Sequence, residues 1–183
     1  MHRIFACLIA AGLAFAGSGT PSIVNFHQVD ANLYRGAQPE PQEFQNLAQF
    51  GIKTVLDLRG EEGHARTERK LVEAAGMRYI NLPFNGVLAP TDDQISHALA
   101  IVGDTASGPV FVHCRRGADR TGTVIACYRI AHDGWQNEQA LNEARTFGMS
   151  WLERGMRSYV LHYRTPAIFT TPAVPTMQAV PSR

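Results

Sequence analysis

Cysteine, strong net charge and long apolar runs are all scarce in this chain of 183 residues. The 3 cysteines show no spacing with His, Asp or Glu that is typical of a metal site, so the sequence predicts neither a metal nor another cofactor. A net charge of +1 gives no overall field that would attract nucleic acid or an acidic membrane surface. The chain shows no internal repeat, and its length suits a single domain with one core.

The longest apolar run, residues 4–16, is shorter than the stretch of about 20 residues that a membrane-spanning helix needs. It follows the positive start Met1-His2-Arg3 and ends in Ala14-Phe15-Ala16, a small-x-small cleavage site. We therefore expect residues 1–16 to be a signal peptide, with a buried N-terminal helix as the alternative. The signal predicts a secreted or periplasmic protein with no stable membrane anchor after cleavage.

Cleavage would remove Cys7 and leave Cys114 and Cys127. Cys114 is expected to end a strand, whereas Cys127 lies two turns into the next predicted helix. At about 1.5 Å of rise per helical residue, this separation is too long for a disulfide. Cys127 stands among apolar residues and is interpreted as a buried packing residue.

Strands and helices alternate between residues 30 and 165. The predicted strands are 33–35, 52–58, 77–84 and 109–112, and the predicted helices are 41–50, 64–75, 91–104, 121–132, 137–147 and 151–164. This order predicts a single α/β domain whose mainly parallel central sheet carries helices on both faces. Residues 17–29 are interpreted as a connector and the proline-rich residues 166–183 as a disordered tail. Ligands of such sheets bind at the carboxyl ends of the strands, here near residues 59–62, 85–91 and 114–120.

One of these ends carries the run His113-Cys114-Arg115-Arg116-Gly117-Ala118-Asp119-Arg120-Thr121-Gly122, which we call the phosphate loop. A turn between a strand and a helix N-terminus, made flexible by Gly117 and Gly122, directs backbone N–H groups towards a closely held oxyanion. Helix N-termini and nearby cations also lower the pKa of cysteine thiols and so produce a nucleophilic thiolate. The pattern predicts that Cys114 attacks phosphorus while Arg120 clamps two phosphate oxygens. The alternative is a structural cysteine in a strand-to-helix turn.

The other loop residues have supporting roles in this interpretation. His113 would orient the loop through its ring nitrogens, and the Thr121 hydroxyl would help to stabilise the thiolate. The substrate is expected to contact the backbone of Gly117 and Ala118 and the side chains of Arg115 and Arg116, although loop arginines can also simply face solvent.

The phosphate loop resembles the signature loop of the protein tyrosine phosphatase superfamily, in particular its dual-specificity and atypical bacterial branches. Residues 33–39, residues 51–59 and Gly134-Trp135 ahead of a helix are similar to bacterial members as well, so the resemblance covers residues 30–160. It implies the cysteine-phosphatase fold and a two-step, metal-free hydrolysis of phosphate monoesters. Cys114 would form a phosphocysteine that water then hydrolyses, with Thr121 assisting the departing thiolate.

The general acid departs from the family pattern. The family usually supplies an Asp shortly after a strand, but Asn85 stands at that place and cannot donate a proton as an acid. Asp119, inside the loop, is one candidate, with a salt bridge that holds the loop as its alternative role. Asp92 and Asp93 are the other candidates, and their alternative role is to stabilise a helix N-terminus. Asp57, on a strand, is interpreted as structural.

Phosphotyrosine in a phosphorylated protein is the expected substrate. A phosphoinositide or an inositol phosphate is the alternative, because branches that act on these compounds often carry basic residues at the positions of Arg115 and Arg116. Arg59 is a weaker candidate for a second phosphate contact, since it could instead pair with Glu61 or Glu62. His64, His97 and His132 are interpreted as surface or packing residues.

Two rival functions remain open from the sequence. A pseudophosphatase would bind phosphorylated partners without turnover, and Asn85 leaves room for this interpretation. A sulfurtransferase or arsenate reductase also places a cysteine loop after a strand. The triplet Arg120-Thr121-Gly122 favours a phosphatase over both.

Overall fold

The computed structural model describes residues 19–60 and 62–166, without the side chain of residue 62. The predicted signal peptide, and the predicted tail from residue 167 onwards, lie outside the described residues. None of the described helices is long and apolar enough to cross a membrane.

The described part of the chain forms one five-stranded sheet with six α-helices. The strands are β1 (His27–Gln28), β2 (Leu33–Gly36), β3 (Thr54–Asp57), β4 (Arg78–Asn81) and β5 (Val110–His113); the helices are α1 (Glu43–Phe50), α2 (Glu62–Ala74), α3 (Asp92–Gly103), α4 (Asp119–Ala131), α5 (Asn137–Thr146) and α6 (Arg154–His162). The strand order is β1-β2-β5-β3-β4, and every neighbouring pair is parallel except β1 with β2. The predicted α/β domain with a mainly parallel sheet is confirmed.

Strand β5 lies at the centre of the sheet, and all of its residues are buried. Its side chains alternate between two layers, which explains why a continuous apolar run marks it in the sequence. Val110 and Val112 pack with α3 and α4, whereas Phe111 packs with α1 and α2 on the opposite face. Helices therefore cover both faces of the sheet, as predicted.

The strand register brings the carboxyl ends of the parallel strands to one edge. Gly36 of β2 and Asp57 of β3 both pair with His113 of β5, and Asp57 also pairs with Asn81 of β4. The residues that follow β2, β3 and β5 therefore emerge side by side. This edge is where a ligand of a parallel sheet is expected to bind.

Two local features agree with the sequence interpretation. Thr91 and Gln94 form a capping box at the start of α3, in which the side chain of each residue accepts a hydrogen bond from the backbone N–H of the other. Cys114 and Cys127 are both buried free thiols, in agreement with the predicted absence of a disulfide between them.

The folded unit begins before residue 30. Residues 17–29 show no strand pattern, yet His27 and Gln28 pair with β2, and Ile23 and Val29 are buried in the core. Both residues of β1 are exposed, so the alternation of apolar and polar residues that identifies a strand is missing. Only pairing with β2 defines this edge strand.

Candidate active site

Cys114 lies between the last residue of β5, His113, and the first residue of α4, Asp119. It is only 2% exposed. The N-cap of α4 is Ala118, and no side chain caps it. Since the first N–H groups of a helix have no partner within it, this end of α4 leaves backbone donors for an anion beside the cysteine.

The loop requires glycine at Gly117 for two reasons. Its φ of 66° lies in the left-handed region, and a Cβ there would stand 2.4 Å from the carbonyl carbon of Gly36 and 2.6 Å from the nitrogen of Ala37. The expected need for glycine at this position is therefore confirmed. The partner in the close approach is the end of β2, which the sequence pattern did not identify.

Arg120 and Thr121 follow Asp119 in the first turn of α4. Arg120 is half-buried, and its Nη1 donates to the carbonyl of Leu58 at 3.4 Å. Thr121 is completely buried, and its hydroxyl has no hydrogen-bond partner among the described residues. A buried hydroxyl without a partner is costly unless a bound group or an ionised neighbour completes it.

A pocket of about 470 Å³ opens beside the loop, lined by Gln38, Arg59, Gly60, His64, Arg115 and Arg120. The structure thus brings Arg59, predicted as a possible second phosphate contact, to the same cavity as Arg120. His64 is exposed and lines this pocket, whereas His97 and His132 are exposed elsewhere. The lining is strongly basic and suits an anionic ligand.

His113 lies in a buried network of charged groups behind the loop. Its Nε2 is 2.7 Å from Oε1 of Glu68 and 3.9 Å from Oδ1 of Asp57. Arg59 bonds both carboxylates, at 2.8 Å to Asp57 and in a short contact with Glu68. The Tyr79 hydroxyl donates to Asp57 at 2.8 Å. Arg59 therefore pairs with Asp57 and Glu68, while the side chains of residues 61 and 62 lie outside the described part of the chain.

Asp57 is ionised in this network. Burial on its own raises the pKa of Asp57, but hydrogen bonds from Arg59 and the charges of His113 and Arg59 outweigh it and hold the pKa below its usual value. Ligand atoms of Asp57, Glu68 and His113 lie within 4.8 Å of one another, a grouping that could hold a metal ion. The guanidinium of Arg59 already supplies a positive charge to both carboxylates, so we describe the group as an ion-pair network.

Glu68 supports this site and was missed by the sequence analysis. From α2 it accepts hydrogen bonds from Arg59 and from Gln38, the latter at 2.8 Å, and it contacts His113. These three partners follow or end three different strands. In the sequence Glu68 is one of several charged residues on a charged helix, and no local signal separates it from its neighbours.

Asp119 is 7% exposed, and both of its carboxylate oxygens are engaged. One accepts from the guanidinium of Arg116 within the loop, and the other accepts from the backbone N–H of Ser150 at 2.8 Å. Asp119 therefore ties the phosphate loop to the connection between α5 and α6. Carrying a proton to a leaving group would require one of these bonds to open.

Asp92, the second acid candidate, makes its contacts outside the phosphate loop. Asp92 accepts a hydrogen bond from the Tyr159 hydroxyl at 2.7 Å and lines a groove between α3 and α6 that contains no residue of the phosphate loop. Asp93 is exposed. The side chain of Asn85 accepts from the N–H groups of Val87 and Leu88, so it shapes the turn after β4.

The comparisons with known proteins agree with this geometry. Residues 18–157 match a family described as "DSP-PTPase phosphatase fused to NAD+ Kinase". The chain is 30% identical over 135 residues to the dual specificity protein phosphatase TpbA of Pseudomonas aeruginosa (strain UCBPP-PA14), covering 74% of this chain and 59% of TpbA. It is 26% identical over 137 residues to the inositol diphosphatase DSP3 of Arabidopsis thaliana, covering 72% of this chain and 66% of that protein. The chain thus spans about three fifths to two thirds of the length of these relatives.

Two solved structures share the fold. The crystal structure of P. aeruginosa TpbA superposes with a TM-score of 0.66 at 30% identity and covers 78% of this chain and 86% of that one. The core catalytic domain of the PP-IP phosphatase Siw14 from S. cerevisiae, in complex with citrate, gives a TM-score of 0.68 at 26% identity and covers 76% and 85%. The chain therefore belongs to the dual-specificity (DSP-PTPase) family of the protein tyrosine phosphatase superfamily.

Proposed function

We propose that this chain is a cysteine-dependent phosphatase that hydrolyses phosphate monoesters through a phosphocysteine on Cys114. The observation that carries the proposal is the position of Cys114 between the central strand and the uncapped N-terminus of α4. An anion bound there receives backbone N–H groups and the positive end of the helix dipole. The same groups stabilise the charge on a phosphoryl group during its transfer.

The reaction has two displacement steps. In the first, the Cys114 thiolate attacks phosphorus, an S–P bond forms, and the bond from phosphorus to the ester oxygen breaks. The leaving oxygen takes a proton from an acid or from water. In the second step water attacks the phosphocysteine, the S–P bond breaks, and inorganic phosphate and the thiolate are released.

The loop side chains have distinct proposed roles in these steps. Arg120 holds two phosphate oxygens through its planar guanidinium. Thr121 donates its unpartnered hydroxyl to the thiolate as it departs. The N–H groups of Gly117 and Ala118 contact phosphate oxygens, and His113 orients the loop through its contact with Glu68.

For the leaving-group proton, Asp119 is the proposed acid because it adjoins Arg120 inside the loop. Its hydrogen bonds to Arg116 and to the Ser150 backbone make it a loop clamp in the resting state. A substrate phosphate that attracts the Arg116 guanidinium would open its bond to Asp119 and so release one carboxylate oxygen of Asp119. Asp92 and Asp93 are the alternative, on the connection that carries the acid in the family.

Phosphotyrosine in a phosphorylated protein is the first substrate that we propose. TpbA has been crystallised as a cysteine-to-serine variant in complex with phosphotyrosine, and this chain is 28% identical to that variant. The proposed site offers one deep anion position at Cys114, which a phosphate on a long aromatic side chain can reach. Trp151 is exposed and follows Ser150, whose backbone N–H donates to Asp119, and we propose that it contacts the aromatic part of such a substrate.

An inositol phosphate or phosphoinositide is the second candidate. It is favoured by the pocket beside Arg120, in which Arg115 adds positive charge next to the proposed phosphate position, whereas the charge of Arg59 is already paired with Asp57 and Glu68. Several relatives are named inositol diphosphatases, among them DSP3 of Arabidopsis thaliana and DSP1 of rice. A substrate with several phosphates would use both the loop and the pocket.

The direct test is hydrolysis of a generic aryl phosphate by the pure, reduced protein, compared with a phosphotyrosine peptide, a phosphoserine peptide and an inositol polyphosphate. The wild type is expected to turn over, the Cys114→Ser variant to be inactive, and the Cys127→Ser variant to remain active as a matched control. Turnover by Cys114→Ser at the wild-type rate would refute the proposed nucleophile. Folded wild type that binds these ligands without hydrolysing any of them would be a pseudophosphatase.

We also propose that the chain is exported through residues 1–16. The positive start, the apolar run and the cleavage site in the sequence support this. Expression of the full chain in a Gram-negative host, followed by fractionation and N-terminal sequencing, is the test. A protein that begins at Gly17 and is found outside the cytoplasm is expected; a protein that keeps Met1 in the cytoplasmic fraction would overturn the proposal.

A further inference from the structure

Arg35 is a buried cation behind the phosphate loop to which neither the motif nor the proposed reaction assigns a role. It lies in β2, is 0% exposed, and pairs in register with Val112 of β5, close to Cys114 in the sequence. Arginine is rarely buried completely unless a carboxylate or another acceptor compensates its charge. The surroundings of Arg35 therefore indicate what it does.

The guanidinium of Arg35 makes one hydrogen bond within the described part of the chain, and that bond reaches the loop. Its Nη2 donates to the carbonyl of Gly117 at 2.7 Å. Its Cζ lies 3.9 Å from the centre of the Phe147 ring, which covers one face of the guanidinium. Its Nε and Nη1 are buried and have no hydrogen-bond partner among the described residues.

This arrangement leaves the charge of Arg35 without an ion pair. No carboxylate of the described residues forms a salt bridge with it, whereas Arg59 and Arg129 each pair with two. Burial lowers the pKa of Arg35 to about 10, which still leaves it charged at neutral pH. The negative charges that act on it favourably are those of Glu143 and of Cys114 when Cys114 is ionised. The negative charge at the phosphate loop is thus one of the few counter-charges of Arg35.

We propose that Arg35 is a positioning residue for the phosphate loop and the buried counter-charge of the anion held there. This inference rests on the proposed phosphatase function and adds a residue outside the signature loop. The hydrogen bond to Gly117 fixes the peptide between Gly117 and Ala118. Because C=O and N–H point in opposite directions across a planar trans peptide, the N–H of Ala118 is turned away from Arg35. It is thereby held towards the anion side of the loop.

If Arg35 only stabilised the fold, its replacement would lower the thermal midpoint and leave anion binding unchanged. An apolar side chain of similar length would fill the same space and remove two unpartnered donors. This gain offsets the lost hydrogen bond to Gly117, so the buried charge itself does not add stability. The charge does act on Cys114 and on any phosphate above it, because Coulombic interactions are strong where water is excluded. Replacement of Arg35 by methionine should therefore weaken anion binding without lowering stability.

Arg129 provides a matched control. It is also an arginine stacked on an aromatic ring, with its Cζ 4.7 Å from the centre of the Trp135 ring. Unlike Arg35, it is paired with Asp133 at 2.8 Å and with Glu143 at 3.0 Å. Removal of Arg129 leaves those carboxylates without their partner, so the Arg129→Met variant should lose stability. Glu143 then acts on Arg35 without Arg129, and tungstate affinity should fall much less than in Arg35→Met.

The experiment measures three properties of the full chain in the wild type, Arg35→Met, Arg35→Lys and Arg129→Met. They are the thermal midpoint, the affinity for tungstate as a phosphate mimic, and the rate at which iodoacetamide alkylates Cys114 at pH 6, followed by peptide mass spectrometry. We expect Arg35→Met to keep or raise the thermal midpoint, to bind tungstate about tenfold more weakly and to be alkylated more slowly. Its kcat/KM for an aryl phosphate should fall about 10²-fold. Arg35→Lys should retain part of each property.

Three results would overturn the proposal: an Arg35→Met variant that does not fold, one with unchanged tungstate affinity and alkylation rate, or an Arg129→Met variant with the same loss of tungstate affinity. Tungstate binding and alkylation need no turnover. If the wild type fails to hydrolyse any phosphate ester, the proposed function fails, yet these two measurements still decide the role of Arg35.

Discussion

Gly117 of the phosphate loop and Gly36 at the end of β2 lie so close that a Cβ on Gly117 would stand 2.4 Å from the carbonyl carbon and oxygen of Gly36. The phosphate loop, which follows β5, therefore packs directly against the end of β2. This contact, together with the bond from Arg35 to Gly117, connects β2 to the anion site.

The first prediction concerns this contact. Gly117→Ala should move the loop away from β2 and lower kcat/KM for an aryl phosphate by about 10²-fold, because misplaced loop donors no longer meet the transition state. Gly134→Ala is the control, since Gly134 also has a positive φ, of 71°, but a Cβ added there would meet no described atom within 4 Å. It should show only the backbone cost of about 1–2 kcal/mol in the free energy of unfolding, with normal kinetics. Equal kinetics for both variants would contradict the importance of the contact.

The second prediction addresses the general acid. Asp119→Asn should lower kcat for an aryl phosphate with a poor leaving group by about 10²–10⁴-fold, while a substrate with a good leaving group should be affected less. The double variant Asp92→Asn/Asp93→Asn should retain near wild-type kcat for both substrates. A large loss in the double variant, with Asp119→Asn unaffected, would move the acid to the connection between β4 and α3. A uniform loss for Asp119→Asn with both leaving groups would assign it the loop-clamp role alone.

The third prediction links Asp57 to acid stability. Asp57→Asn removes one carboxylate from a buried ion-pair network and should lower the free energy of unfolding at pH 7 by about 3–5 kcal/mol. The pKa of Asp57 in the folded protein lies below its usual value, because Arg59 and His113 stabilise the ionised form. The contribution of this carboxylate is therefore complete above the unfolded pKa of about 4 and is lost as pH falls through the folded pKa. The difference between wild type and variant should shrink below about pH 4.

Denaturant unfolding of both proteins at a series of pH values measures this difference. The exposed residue Glu40 supplies the control, because Glu40→Gln should change stability little at any of these pH values. A wild-type advantage that stays constant into acid would show that Asp57 does not stabilise the fold through its charge.

The fourth prediction separates the two substrate classes. Arg115 is exposed and lines the basic pocket, so Arg115→Met should raise the KM for an inositol polyphosphate about tenfold and change the KM for a simple aryl phosphate little. Lys70→Met, on the exposed side of α2 and outside that pocket, should change neither. If Arg115→Met affects both substrates equally, the pocket does not serve as a second phosphate position.

The sequence was most informative where the chemistry is contiguous along the chain. The apolar run of β5 predicted a buried strand, and the ten residues of the phosphate loop follow from its end without interruption, so the placement of Cys114 and Arg120 could be foreseen. Helix α4 begins at Asp119, two residues before the predicted start at Thr121. Negative residues are favoured there.

The supporting residues could not be foreseen for a physical reason. Arg35 contacts Gly117 across 82 positions of sequence, and Glu68 contacts His113 across 45. Periodicity describes which face of an element is apolar, but it does not show which charged side chain crosses the sheet to meet another. The sequence marks Arg35 only as part of a strand similar to bacterial relatives, and its complete burial is visible only in the fold.

The central claim, that Cys114 carries the phosphoryl group, is tested most directly by acid quenching during turnover of an aryl phosphate and by mass spectrometry of the quenched protein. We predict that the peptide containing Cys114 gains the mass of one phosphoryl group through an acid-trapped S–P bond, and that Cys114→Ser neither turns over nor gains this mass. Steady turnover of the substrate by Cys114→Ser, or trapping of the phosphoryl group on a different residue, would contradict it.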